Sequence, residues 1–179
     1  MDQLAKIAIY AIPVIIAITL HEAAHGYVAR HYGDDTAERA GRVTLNPLKH
    51  IDLFGTILLP AFLLFTKAGF LFGWAKPVPV NFSALRHPKR DMIWVAAAGP
   101  AMNILLALLS VIGLALLLVA GRGAPEWLPA LLWSSVEINL VLAVLNLGPI
   151  PPLDGSKIAV GLLPPALAVP LWRASRYGM

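Results

Sequence analysis

The sequence predicts an all-α membrane protein, a polytopic bundle of about four or more transmembrane helices with short extended or β segments in its loops. Three observations predict it. Residues are 58% hydrophobic and only 13% charged, where a soluble domain has about 45–50% apolar and about 25% charged residues. Mean hydropathy is +0.72. The apolar residues are gathered into blocks separated by polar or proline-rich stretches. The 179 residues suit a single domain over 1–179. The net charge of +4 is scattered, which offers no patch for nucleic acid and suits loops facing anionic headgroups. There is no cysteine, so disulfides and thiolate metal sites are excluded, and a metal must be held by histidine and carboxylate.

The first apolar block runs from Ile7 to Ala29, interrupted only by His21, Glu22 and His25. One lysine precedes it and no small-residue cleavage site follows before the polar cluster, so it reads as a membrane helix and not a signal peptide. Pro13 is placed to kink it. Arg30 to Asp52 is the most polar stretch, and Gly41 to Pro47 within it reads as a short extended strand ending in a turn. Gly55 to Phe72, with Pro60 and Lys67, reads as a short, tilted or broken span. Gly73 to Val80 alternates prolines with apolar residues, which favours extended backbone. Met92 to Ala120 contains no Asp, Glu, Lys or Arg and is the clearest span. Trp127 to Leu147 carries one acid, Glu137, and runs into Gly148-Pro149-Ile150-Pro151-Pro152-Leu153-Asp154-Gly155, where the prolines cannot continue a helix. Ile158 to Trp172 is apolar and broken by Pro164, Pro165 and Pro170.

His21-Glu22-Ala23-Ala24-His25 is an H-E-x-x-H match. Residues four apart on a helix differ by about 40° around its axis, so both imidazoles face one way and can share a metal ion. Glu22 sits beside that face, within reach of the metal's water. His21 lies about 14 residues, or ~21 Å, into the apolar block. Ionisable groups at such depth are costly and face a bundle interior or a water-filled cavity.

A catalytic zinc takes a third protein ligand and leaves one position for water. His31 has the metzincin spacing, but Val28 stands where that motif needs glycine, and on a continuing helix His31 points about 240° away from His25. His50 and His87 fall in polar loops and read as solvated or structural. Asp34, Asp35, Glu38, Asp52, Asp91 and Glu126 lie near other loop charges and read as solvated surface. Glu137 and Asp154 remain, both in apolar surroundings. Asp154 follows a proline-broken segment of the kind tolerated where backbone lines a cavity. It is the better candidate, with Glu137 in reserve. A turn-forming Asp-Gly pair is the competing explanation of Asp154.

With these residues in view, the chain resembles the site-2 protease family of intramembrane metalloproteases (peptidase M50-like) in its compact prokaryotic form. His21-Glu22-x-x-His25 matches the family's first motif. Asn146-x-x-Pro149-x-x-x-x-Asp154-Gly155 matches its second, whose aspartate is the third zinc ligand. Gly99-Pro100-x-x-Asn103 matches a recurrent third-helix pattern, and Thr44 through Thr56 looks like the family's loop before the second helix. The resemblance implies one Zn2+ per chain, held by His21, His25 and Asp154, with Glu22 as catalytic base. It implies that Asn146 holds the substrate backbone or stabilises the oxyanion, with a helix-ending cap or an interhelical hydrogen bond as the competing role, and that Asn103 contacts substrate. It places the protein in the bacterial or archaeal cell membrane as a multi-pass protein cutting membrane-embedded protein substrates in the lipid bilayer. Similar proteins carry a further apolar helix after the second motif. The short, proline-rich end here reads either as a truncation or as a member without that helix.

Hydrolysis of a membrane segment requires the segment to unwind, because a helix hides its amides in its own hydrogen bonds. The extended stretch from Trp74 to Val80 could receive an unwound substrate as an added strand, with Val78 and Val80 in the pairing. Two other functions use the same residues. A zinc or cation transporter would string ligands through the bundle and usually repeat its halves; here they cluster and no repeat is visible. An inactive relative that binds membrane helices without cutting them would have no need of Glu22.

Overall fold

The computed structural model describes residues 3–66, 73–120 and 123–175. Among the described residues, three helices are long and apolar enough to cross a membrane, judged by length and composition. They are α1 (Gln3–His31), α4 (Pro88–Ala120) and α5 (Trp127–Asn146). Shorter helices fill the connections: α2 (Thr36–Arg39), α3 (Leu59–Phe65), α6 (Asp154–Leu162) and α7 (Pro165–Ser175). α4 is the hub, packing against α1, α5 and α6, and α1 also packs against α5.

The long helices are apolar around their whole circumference, as lipid-facing helices are. Their packed sides carry small or polar residues, such as Ala17, Ala24, Gly99, Asn103, Ala107, Asn139 and Ala143, while Leu116, Leu118, Val119 and Val144 face outward. Small residues let backbones approach where lipid supplies no hydrophobic drive between helices. Ala29, Leu85, Met92, Val95, Val160 and Ala168 form the main apolar cluster, which joins the ends of α1 and α4 to α6 and α7.

The apolar block expected as a span over 55–72 begins as a π-helical turn, Leu53–Leu58, and continues as α3 to Phe65. Residues 67–72 of it lie outside the described residues. Asp52 caps the π-helical turn by accepting the Gly55 N–H at 2.7 Å.

The β segments expected in the loops are absent among the described residues. Residues 73–81 form neither helix nor strand, and Pro77 and Pro79 have no N–H to give to a ladder. The segment is a strap tied down from several directions. Trp74 N–H donates to Gly55 O and Lys76 N–H to His50 O. The Arg42 guanidinium donates to Lys76 O and Pro77 O. Asn81 N–H donates to Asp34 Oδ2 at 2.7 Å. The stretch from Gly41 to Pro47 is likewise bent and unpaired, with Asn46 capping a 3-10 turn at Pro47–Lys49.

Two acids expected on the solvated surface are therefore structural. Asp34 is fully buried and accepts from Thr36 N–H as well as from the strap. Asp91 is also buried. It reaches back to accept the His87 N–H at 2.7 Å, closing the first turn of α4, where Pro88 leads the helix. A carboxylate in a polar loop is as suited to satisfying orphan amides as to facing water.

α5 and α6 approach closely at Gly155. A Cβ there would lie 2.1 Å from Leu147 O and 2.5 Å from Gly148 O. The Asp-Gly pair is thus a backbone contact that seats α6 on the end of α5. It is not a turn, because Asp154 is the first residue of α6. Gly155→Ala is expected to destabilise the protein by about 2–4 kcal/mol, since backbone must move. Gly123→Ala, with nothing within 4 Å of the added carbon, is expected to be near neutral. Thermal unfolding in detergent checks the pair.

Candidate metal centre

His21 and His25 stand one turn apart on α1, and α6 brings Asp154 to them from 129 positions along the chain. Their near atoms form an almost equilateral triangle. His21 Nε2 and His25 Nε2 are 3.1 Å apart. Asp154 Oδ2 is 3.2 Å from the first and 3.1 Å from the second. All three residues are buried.

The triangle fits a tetrahedral metal ion. Bonds of about 2.0–2.1 Å at tetrahedral angles separate ligand atoms by about 3.3 Å. His21, His25 and Asp154 would hold such an ion as three protein ligands, and it would supply a bound, acidified water. Proton positions agree. His25 Nδ1 is 2.7 Å from Val95 O, a carbonyl that can only accept, so the proton belongs on Nδ1 and Nε2 is free to ligate. His21 Nδ1 is 2.6 Å from Asn103 Oδ1, which assigns its proton in the same way.

α4 accommodates the site with Gly99. A Cβ there would lie 2.4 Å from His25 Nε2 and 2.6 Å from His21 Nε2, so any side chain would occupy the ligand atoms' space. Lys157, one turn after Asp154, donates to Asp154 Oδ1 at 2.9 Å. That occupies one carboxylate oxygen and leaves Oδ2 facing the histidines. Glu22 Oε2 accepts the Val78 N–H of the strap at 2.7 Å, so the strap orients this carboxylate.

Residues 9–126 match the family described as Peptidase family M50. The chain belongs to peptidase family M50. The matched span holds His21, Glu22 and His25, with Asp154 beyond it. The chain is 41% identical over 175 residues to "Putative zinc metalloprotease YwhC" of Bacillus subtilis, covering 93% of this chain and 74% of that protein. It is 33% identical over 148 residues to "Putative zinc metalloprotease Rip2" of Mycolicibacterium smegmatis, covering 79% of this chain and 52% of that one. Rip2 of Mycobacterium tuberculosis H37Rv is 32% identical over 145 residues, with the same coverage. The chain thus spans about half the length of the Rip2 proteins. No solved structure matches the chain significantly. As an M50 peptidase the chain is a zinc metalloprotease, and zinc is its metal.

The other residues singled out in the sequence fall in several places. Glu137 is not with the triad; it is exposed on α5 and accepts from Trp133 Nε1 at 2.8 Å. His31 is exposed, and His50 is buried with Nε2 3.0 Å from Thr44 O. Asn103, expected to touch substrate, is fully buried behind His21, with its amide bonded to His21, Asn139 and Ala17. Asn146 ends α5, half-buried, and donates to Leu142 O at 3.0 Å. Val78 is buried, and Val80 packs against the main apolar cluster.

Sequence reasoning missed Lys157, Asn139 and the strap anchors. Lys157 was findable from its three-residue spacing to Asp154. Asn139 is a side-chain amide deep in a largely apolar helix, and that depth is the signal that marks it.

Gly99→Ala is expected to weaken zinc binding at least about tenfold, because the added methyl displaces both imidazoles. Metal analysis after dialysis against graded chelator checks it. Unchanged retention would mean the site has room that the structure denies it.

Proposed function

We propose that this M50 peptidase is a multi-pass protein of the cell membrane that hydrolyses peptide bonds within or near the transmembrane segments of membrane-anchored proteins. His21, His25 and Asp154 hold one zinc ion, and Glu22 is the general base. The observation that carries this reading is the place of the triad. His21 lies ten residues, about 15 Å of helix, before the end of α1, and the triad is enclosed by α1, α4 and α6. Two of these elements belong to helices long and apolar enough to span a membrane.

Zinc, when bound, acidifies water and polarises the scissile carbonyl. Glu22 takes the proton of the attacking water and delivers it to the departing amine. Before substrate docks, its Oε2 is engaged by Val78 N–H. Asn146, at the end of α5 just before the backbone that meets Gly155 of α6, holds the substrate backbone or the developing oxyanion after turning its amide from Leu142 O. Asn103 keeps His21 in its ligating form and does not contact substrate.

The strap receives the unwound substrate. Pro77 and Pro79 leave one edge of it without donors, so pairing uses the edge of Val78 and Val80. A substrate carbonyl that takes the Val78 N–H releases Glu22 towards the water, which couples docking to activation of the base.

The test is made on the protein in detergent with a membrane-segment reporter. Glu22→Gln is expected to lower cleavage by about 10²–10⁴-fold with zinc retained. Asp154→Ala is expected to lose zinc and activity together. Val78→Pro, which deletes the N–H, is expected to lose cleavage with zinc retained. Cleavage that survives in Glu22→Gln would contradict the assignment of the base, and full cleavage by Val78→Pro would contradict the role of the strap.

A further inference from the structure

The two histidines reach backbone carbonyls by different routes. His25 Nδ1 meets Val95 O directly, at 2.7 Å. His21 Nδ1 meets Asn103 Oδ1 at 2.6 Å, and a side-chain amide can present either its oxygen or its NH2. With the NH2 turned to His21, Nδ1 would have to accept. Its proton would then sit on Nε2, where it would block ligation. Something must set the direction of the Asn103 amide.

Asn139 on α5 does so. Asn103 Nδ2 donates to Asn139 Oδ1 at 2.8 Å, and Asn139 Nδ2 donates to Ser135 O at 2.8 Å. The last acceptor is a backbone carbonyl and cannot reverse. Asn139 must therefore turn its NH2 to Ser135 and its oxygen to Asn103. Asn103 must turn its NH2 to Asn139 and its oxygen to His21. The proton is thereby fixed on Nδ1. Asn103 and Asn139 are 0% and 1% exposed, so both bonds are out of reach of bulk water. The other acceptor near Asn103 Nδ2 is Ala17 O at 3.4 Å, at the limit of a useful hydrogen bond.

We propose that Asn139 is a positioning residue of the metal centre, acting through Asn103 to keep Nε2 of His21 unprotonated. The proposal rests on the triad being the zinc site. It differs from a plain packing role, in which an amide pair bridges α4 and α5 within the membrane. Packing alone predicts lost stability with unchanged metal chemistry.

Asn103→Asp separates the two. A carboxylate has no NH2 to misdirect, so it accepts from His21 Nδ1 whatever Asn139 does, as carboxylates behind zinc histidines commonly do. The experiment measures zinc affinity by chelator competition, and the visible spectrum of the Co2+-loaded protein, for four forms of the full chain. These are wild type, Asn139→Leu, Asn103→Asp and the double variant.

Asn139→Leu is expected to weaken zinc about tenfold and to alter the cobalt bands. In the Asn103→Asp background the same change is expected to have no effect on either. Equal weakening in both backgrounds, or unchanged affinity and spectrum in Asn139→Leu, would overturn the proposal. Asn139→Ser, too short to reach Asn103, serves the same comparison if Asn139→Leu does not fold. Asp154→Ala is run alongside. Wild-type zinc binding by that variant would overturn the zinc-site reading and this proposal with it, whereas the four-form comparison can fail while the zinc site stands.

Discussion

Two imidazole nitrogens and a carboxylate oxygen within 3.2 Å of one another, shielded from water, are an unfavourable arrangement unless positive charge sits among them. With each histidine's proton directed to its far nitrogen, three lone pairs converge on one point. Much of the structure follows from holding that convergence. α1 supplies two donors by its own periodicity. α6 is seated on the end of α5 through Gly155, which brings the third. α4 presents a glycine where a side chain would intrude. Each arrangement would be an odd expense in a bundle built only for packing.

The strap is the second organising element, and its chemistry follows from its prolines. Lacking N–H groups at Pro77 and Pro79, it pairs with no other strand among the described residues. It is held instead by Arg42, Asp34, the carbonyls of His50 and Gly55, and Glu22. Buried carboxylates and a guanidinium around irregular backbone are the expected solution where water is scarce and amides need partners. The contact between Val78 and Glu22 ties this scaffold to the carboxylate proposed as the base, so the element proposed to bind substrate also orients that carboxylate.

What was legible in the sequence was whatever depends on local geometry. The four-residue spacing of His21 and His25 puts them together on any helix, and the three long apolar helices follow from length and apolarity alone. Asp154 was only half legible. Local context left it beside Glu137, and the choice between them depends on how α5 and α6 meet, which spacing along the chain does not encode. The partners of His21 were hidden for the same reason, since the register of α4 against α5 brings Asn103 to Asn139. Asp34 and Asp91 were misread because a charged residue in a polar loop looks the same whether it faces water or caps buried amides. The β segments were misread because extended backbone is a property of a segment, whereas a strand also needs donors and a neighbour.

The most direct test of the central claim is X-ray absorption at the zinc edge of the purified protein. The account predicts two imidazoles and one carboxylate oxygen at about 2.0–2.1 Å with one further light atom, and loss of the carboxylate contribution in Asp154→Ala. A shell with other than two histidines, or one unchanged by Asp154→Ala, would contradict it.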